Sequence, residues 1–372
     1  MNGAVRNFRR RRLNADEGLP RAQGVLETPI EERAAKAAEL HLDDPEMLLS
    51  LLGLLPKMWD AAPRKVFDEA AFLYGYLESL QVRYPTDPIL IDEREYFLGE
   101  SARIAGTAAR FLSRREDARS WFDLSEAWFL ATENAPANLA RLGYQRLALR
   151  LEERDFEGVL KLAPHLVANF ERMSMVEDGV RARFLLAVVL KEKGRLDEAV
   201  AVFEQIAERC RAISNENLLG WAVMNLAQTY GVLGDAEKAV ASAAEAAPLL
   251  RKQENHVALG KLQAGLGLLL RAKGQIAGAM EAFRTAQREF SEIALHADAA
   301  SMHLILADLL LDAEQPAQAE WEIRAALPII DEYKLVPEGI AALSLLRDSV
   351  RRRQIDRQAL RGLHGYFRES EA

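Results

Sequence analysis

The chain has 372 residues and a mass of 41.6 kDa, with 49% hydrophobic and 28% charged residues. That composition fits a soluble globular protein and excludes general disorder, a collagen-like repeat and a disulfide scaffold. A formal net charge of −8 argues against nucleic-acid binding over the whole surface, and the single cysteine, Cys210, cannot pair within the chain, which fits a reducing cytoplasm.

The first residues, Arg6-Asn7-Phe8-Arg9-Arg10-Arg11-Arg12, resemble the basic end of an export peptide. Asn14-Ala15-Asp16-Glu17-Gly18 then stands where an apolar stretch would be required. Residues 1–27 lack apolar periodicity and are expected to form a disordered, solvated basic arm. The functional counterpart of that reading is an arm that meets anionic lipid, nucleic acid or an acidic partner.

Residues 28–90 read as an N-terminal helical cap. Thr28-Pro29-Ile30-Glu31 has the form of a helix start, with Thr28 capping and Pro29 in the first turn, and Ala34, Ala35, Lys36, Ala37 and Ala38 extend the helix. Asp44-Pro45-Glu46 opens a second helix through Leu55. Its apolar run, Met47 to Leu55, is too short to cross a membrane, and no stretch of about 18 apolar residues occurs elsewhere. Ala62-Pro63 opens a third helix, and Tyr84-Pro85 lies beyond its end. No segment alternates with period two over a useful length, so no sheet is expected.

Residues 91–372 carry an internal repeat. Leu186, Leu226, Leu266, Leu306 and Leu346 are each separated by 40 positions, as are Ala199, Ala239, Ala279, Ala319 and Ala359. Gly194, Gly234 and Gly274 share a third column; Phe203, Ala243, Phe283, Ile323 and Leu363 form a fourth. Each unit reads as two helices. Phe184, Leu185, Ala187, Val188 and Leu190 give the apolar side of a first, Gly194 a tight turn, and Leu196, Ala199, Val200, Phe203 and Ile206 the apolar face of a second. Ala187 and Ala199 allow close backbone approach, and stacking of successive hairpins supplies the core that one hairpin cannot. Pro248 and Pro328 fall in the second halves of second helices, which each is expected to bend or end.

These columns resemble tetratricopeptide repeats. The match is carried by Asn225-Leu226-Ala227-Gln228-Thr229-Tyr230 with Leu233-Gly234-Asp235, Ala239 and Ala246. Leu186-Ala187 with Lys193 to Ala199 and Phe203 gives a second copy, and Leu266-Gly267 with Gly274, Ala279, Phe283 and Ala286 a third. The period of 40 exceeds the family's usual length of about 34. Glu314 and Gln354 stand where glycine is usual, and Arg347 replaces a small residue, as in a terminal cap. The resemblance implies an all-α fold, a right-handed superhelix (an α-solenoid) of antiparallel helix pairs in about six or seven repeats. Longer units of this kind are similar to those of bacterial peptide-sensing regulators.

The fold so implied has no catalytic role. The six histidines form no His-Glu-x-x-His pair, Cys210 has no CxxC partner, and no phosphate-binding glycine loop occurs, so no enzyme activity, metal or cofactor is expected. His296 and His303 are seven apart and are read as ordinary partly exposed side chains. The resemblance places ligand contacts on the first helices, which line a concave groove. That face holds Arg181, Phe184, Val188 and Lys191, then Trp221, Met224, Asn225 and Gln228, then Lys261, Ala264, Leu268 and Arg271, then Leu304 and Asp308. An asparagine can hold a peptide backbone by donor and acceptor together, the cations suit carboxylates, and Trp221 offers an apolar anchor. The expected partner is therefore another protein or peptide of acidic character, with neither membrane nor nucleic acid. Trp221 and Met224 read equally well as packing between repeats. A chaperone-type carboxylate clamp is not matched, because Phe184, Val188 and Gly265 occupy its polar places. The alternative is a signal-sensing regulator, either a peptide sensor or a transcriptional regulator, which would need a DNA-reading helix. The apolar Met47–Leu55 segment does not supply one. The C-terminal cluster Arg347, Arg351, Arg352, Arg353 and Arg357 reads as solvated.

Overall fold

The repeat is built on a step of 20 residues, half the 40-residue period of the sequence columns. In the computed structural model, residues 22–36, 40, 42, 45–58, 62–83, 88–132 and 135–353 are described. Residues 22–27 are helical. The elements that follow are α1 (Ile30–Arg33), α2 (Pro45–Leu54) with a 3-10 turn over Leu55–Met58, α3 (Pro63–Arg83), α4 (Pro88–Phe111), α5 (Arg115–Leu130) and α6 (Ala135–Glu152). Then come α7 (Phe156–Arg172), α8 (Val176–Glu192), α9 (Leu196–Ala212), α10 (Glu216–Leu233) and α11 (Ala236–Lys252). The last are α12 (His256–Ala272), α13 (Ile276–Glu292), α14 (His296–Asp312), α15 (Pro316–Glu332) and α16 (Val336–Arg353). There is no strand among the described residues. The fold is all-α, built of antiparallel helix pairs of solenoid type; neighbouring helices pack together within each unit, as α4 does with α5 and α12 with α13.

The links explain the step. From α6 to α15 each helix has 17 or 18 residues and is followed by a residue with positive φ: Arg154, Ser174, Gly194, Ser214, Gly234, Glu254, Gly274, Ala294, Glu314 and Lys334. The next residue's N–H reaches back to a carbonyl in the last turn. Arg195 N donates to Leu190 O at 2.9 Å, Asp235 N to Tyr230 O at 3.0 Å and Gln315 N to Leu310 O at 2.8 Å. Such a bond closes a helix with otherwise unpaired carbonyls, and it requires the left-handed residue. Glycine takes that conformation freely; a residue with a Cβ takes it at about 1–2 kcal/mol. At several links the following residue caps the next helix. Asp155, Asn215, Asp235 and Asn255 accept from the N–H groups of Gly158, Leu218, Lys238 and Ala258.

The chain divides into two compact units, residues 1–189 and 190–372. In the first, Leu42, Leu51, Leu55, Val66, Leu77, Phe97 and Leu98 lie in one core. Phenylalanines of α5 fill gaps left by glycines of α4: a methyl added to Gly106 would stand 2.6 Å from the Phe122 ring, and one on Gly99 2.6 Å from Phe129. The second unit repeats the device, with Gly260 under Phe290 and Gly267 under Phe283. The alanine column is sealed at Ala199, Ala239, Ala279 and Ala319, and the fourth column at Phe203, Ala243, Phe283 and Ile323. Cys210 is buried in α9.

Several expectations need correction. The arm drawn through residue 27 does not extend that far, since residues 22–27 are helical and bury Ala22, Val25 and Leu26 in the core; residues 1–21 lie outside the described residues. Thr28 makes no cap. Its hydroxyl donates to Gly24 O, Pro29 takes the cap position, and α1 stops at Arg33, whose guanidinium is drawn inward to a buried ion pair with Glu69. The division at residue 90 falls inside α4. Pro248 and Pro328 do not end their helices, which run on to Lys252 and Glu332. Pro164 sits likewise inside α7. Ala359, Leu363, Gln354 and Arg357 lie outside the described residues.

Candidate functional site

In the second unit, α10 and α12 each present one row of residues at spacings of four, three and four. These are Trp221, Asn225, Gln228 and Val232 on α10, and Lys261, Gly265, Leu268 and Ala272 on α12. Side chains so spaced share one helix face. Gln228 and Val232 from the first row, with Lys261, Gly265, Leu268 and Ala272 from the second, line a cleft of about 490 Å³. Ala239 and Ala243 of α11 close its floor. Val232 is 71% exposed and Leu268 54%, high values for aliphatic side chains beside a concavity. Lys261 is exposed and makes no hydrogen bond or ion pair among the described residues.

Behind the cleft sits a polar cluster. Lys191 Nζ donates to Asn225 Oδ1 at 2.7 Å and to Gln228 Oε1 at 3.1 Å. Asn225 Nδ2 donates to the Trp221 carbonyl at 2.9 Å. Burial lowers the Lys191 pKa, because desolvation disfavours its charged form. Both ends of the Asn225 amide are thus engaged within the protein, and Asn225 is 6% exposed. It positions Lys191; it does not present a free donor and acceptor to a peptide.

The structure sorts the sequence candidates accordingly. Gln228, Lys261 and Leu268 come together in the cleft. Met224 is buried and is a packing residue; Trp221 is partly exposed one turn away. Arg271 is held by Asp308 at 2.5 Å and Asp312 at 3.4 Å, which takes it out of the set of open cations, and Leu304 is buried. Arg181, Phe184 and Val188 belong to the first unit. There Phe184 and Val188 are half-buried and Arg181 pairs with Glu177 at 2.5 Å. Val232 was not among the candidates, although its place four residues after Gln228 marks the same face.

Among the described residues the histidines do not converge. The His296 ring stacks on Tyr333 at 3.6 Å, and His303 Nδ1 lies 2.7 Å from Glu322 in a buried pair. Three metal-ligating side chains approach one another at one place among the described residues: His256, Glu289 and Glu292, with ligand atoms within 4.8 Å. His256 Nδ1 there is 2.8 Å from Glu289 and 3.2 Å from Glu292. The hydrogen bond to Glu289 raises the His256 pKa, against a smaller opposing effect of desolvation.

Residues 180–252 match the family model described as tetratricopeptide repeat. No curated protein matches the chain. Among solved structures, a signal-transduction ATPase with a tetratricopeptide-repeat sensor from Pyrococcus horikoshii is similar at 13% identity and a TM-score of 0.62, over 87% of this chain. The match covers 52% of that protein, so this chain spans about half its length. The apo form of RapI is similar at 16% identity and a TM-score of 0.51, over 70% of this chain and 97% of that one. The Rap conjugation gene regulator of plasmid pLS20, in complex with the Phr* peptide, is similar at 15% identity and a TM-score of 0.50, over 95% and 93%. At these identities the likeness is one of fold. Residues 180–252 thus carry tetratricopeptide repeats, and the helix pairs of the described residues share that architecture.

Proposed function

We propose that this protein is a non-catalytic binding module of the cytoplasm whose second unit takes an extended polypeptide segment in the α10–α12 cleft. One observation carries the reading: an unpaired ammonium, Lys261, stands beside two exposed aliphatic side chains, Val232 and Leu268, over a concavity of about 490 Å³. Pockets of that order suit a few side chains of a ligand. An acidic residue flanked by apolar ones matches it, with the carboxylate on Lys261 and the apolar groups on Leu268 and Val232. The similar pLS20 regulator, solved with a peptide, gives a precedent for this use of the fold.

A DNA-reading role for residues 28–80 is not favoured. Met47, Leu48, Leu51, Leu52 and Leu55 are buried in the first unit's core, and the outward positions Leu49, Gly53 and Leu54 carry no charge for phosphate. No helix among the described residues is long and apolar enough to cross a membrane.

Selection from a displayed random-peptide library on the full chain tests the proposal. Enriched sequences should carry an acidic residue between apolar ones. They should bind a Lys261→Glu/Leu268→Asp variant at least about tenfold more weakly, since a charge-assisted contact and an apolar contact are both lost. Equal binding to both proteins would refute the assignment.

A further inference from the structure

His256 opens α12, and Glu289 and Glu292 stand in the last turn of α13, the helix that packs on it. The turn between the two helices brings the start of one to the end of the other. The three side chains meet there with their ligand atoms within 4.8 Å of one another. His256 Nδ1 is 2.8 Å from Glu289 Oε2 and 3.2 Å from Glu292 Oε2. Zinc makes bonds of about 2.0–2.1 Å to imidazole nitrogen and carboxylate oxygen, which at tetrahedral angles sets neighbouring ligand atoms about 3.3 Å apart. Both observed edges lie within about 0.5 Å of that spacing, so small side-chain shifts would seat an ion.

The neighbouring repeats fill the same place differently. Forty residues earlier it holds Glu216, Leu249 and Lys252, and the lysine pairs with Glu216. Forty residues later it holds His296, Ile329 and Glu332, and the His296 ring stacks on Tyr333 instead. The α12–α13 pair alone among these three combines an imidazole with two carboxylates, and it puts Glu292 where its predecessor has a neutralising lysine. No lysine or arginine among the described residues pairs with Glu289 or Glu292. The charges acting on the ring are all acidic: Glu289, Glu292 and Glu254. Without metal, a proton shared between Nδ1 and Glu289 holds the group together.

We propose that His256, Glu289 and Glu292 bind one divalent transition-metal ion of the zinc type, which ties the end of α13 to the start of α12. The imidazole decides the class of ion. Calcium and magnesium take oxygen ligands, whereas imidazole suits zinc and its neighbours. Three protein ligands leave a fourth position for water, and the Glu292 side chain, 63% exposed, leaves that position open to solvent. The site shares no residue with the α10–α12 cleft, so each can stand or fall without the other.

The test is isothermal titration calorimetry of zinc into the full chain, stripped of metal with a chelator that is then removed. The tightest site should take one zinc per chain. His256→Gln, Glu289→Gln and Glu292→Gln should each weaken it at least about tenfold, since loss even of a group that only supports a ligand costs that much. His165→Gln, an exposed histidine of α7, should leave it unchanged. Zinc should raise the melting temperature of the unmodified chain more than that of His256→Gln, because an ion that binds only the folded chain stabilises it. Glu292 is largely exposed, so Glu292→Gln decides the matter if either of the other two variants melts early without metal. Failure of the unmodified chain to bind zinc would overturn the proposal. A tightest site that survives His256→Gln and Glu292→Gln would do the same, as would calcium displacing zinc at equal concentration, which would mark a mere cluster of carboxylates.

Discussion

Two glycines of α12 invite the same substitution and should respond with opposite signs. Gly265 and Gly267 are two residues apart in one helix, so alanine brings each the same gain in helix propensity, about 1 kcal/mol. Their surroundings differ. A methyl on Gly265 meets nothing within 4 Å, whereas one on Gly267 would stand 2.7, 2.8 and 2.9 Å from three atoms of the Phe283 ring. Real carbon contacts do not close to that distance, and Phe283 is itself fully buried, so the ring has no free space into which to swing. Overpacking of this kind costs about 1–3 kcal/mol. Gly265→Ala should therefore stabilise by about 1 kcal/mol, and Gly267→Ala should be neutral to destabilising by about 2. The propensity gain cancels in the comparison, so the difference between the two variants isolates the methyl–ring overlap. Urea unfolding followed by circular dichroism measures it. In the Gly267→Ala background, Phe283→Leu should cost less than it does in the unmodified chain, because it relieves the overlap. If both alanine variants shift the midpoint in the same direction by the same amount, the account of glycine as the socket for phenylalanine is wrong.

The links give a second stability prediction. Gly234 (φ 79°) and Ala294 (φ 56°) occupy equivalent left-handed positions, so Gly234→Ala should destabilise by about 1 kcal/mol and Ala294→Gly should stabilise by up to about 1, read from the same urea curves. A third prediction concerns pH. The pKa of His256 is raised from 6.5 chiefly by its hydrogen bond to Glu289. Folding therefore favours the protonated ring: the stabilisation is complete below the unfolded value and is lost as pH rises through the elevated one. An NMR titration should find His256 above the ordinary histidine range and restored to it by Glu289→Gln; a ring that already titrates at or below 6.5 in the unmodified chain would contradict the pairing.

How far the sequence reveals this structure depends on what kind of contact is asked about. Buried columns are legible because each repeat must pack against the next with the same volumes. Ala239, Ala279 and Ala319 recur for one steric reason, and a reader needs only the period to find them. The left-handed links were half legible. Gly194, Gly234 and Gly274 announce theirs, but Ala294, Glu314 and Lys334 adopt the same conformation without the residue that signals it. The fate of a charge was the least legible. Lys191 meets Asn225 and Gln228 at separations of 34 and 37, Arg211 meets Glu245 at 34, and Arg271 meets Asp308 at 37. Each is one repeat less about one or two helical turns, as expected when a long side chain leans onto the neighbouring helix. Read with that rule, Arg271 could have been struck from the open cations at once. The same rule sets Lys261 37 residues before Asp298, yet the two do not pair. Lys191 and Arg271 lie in the last turn of their helices and Lys261 near the start of its own. Periodicity thus names a candidate partner for Lys191, Arg211, Lys261 and Arg271, but position along the helix decides which of these pairs close, and Lys261 stays open beside the cleft.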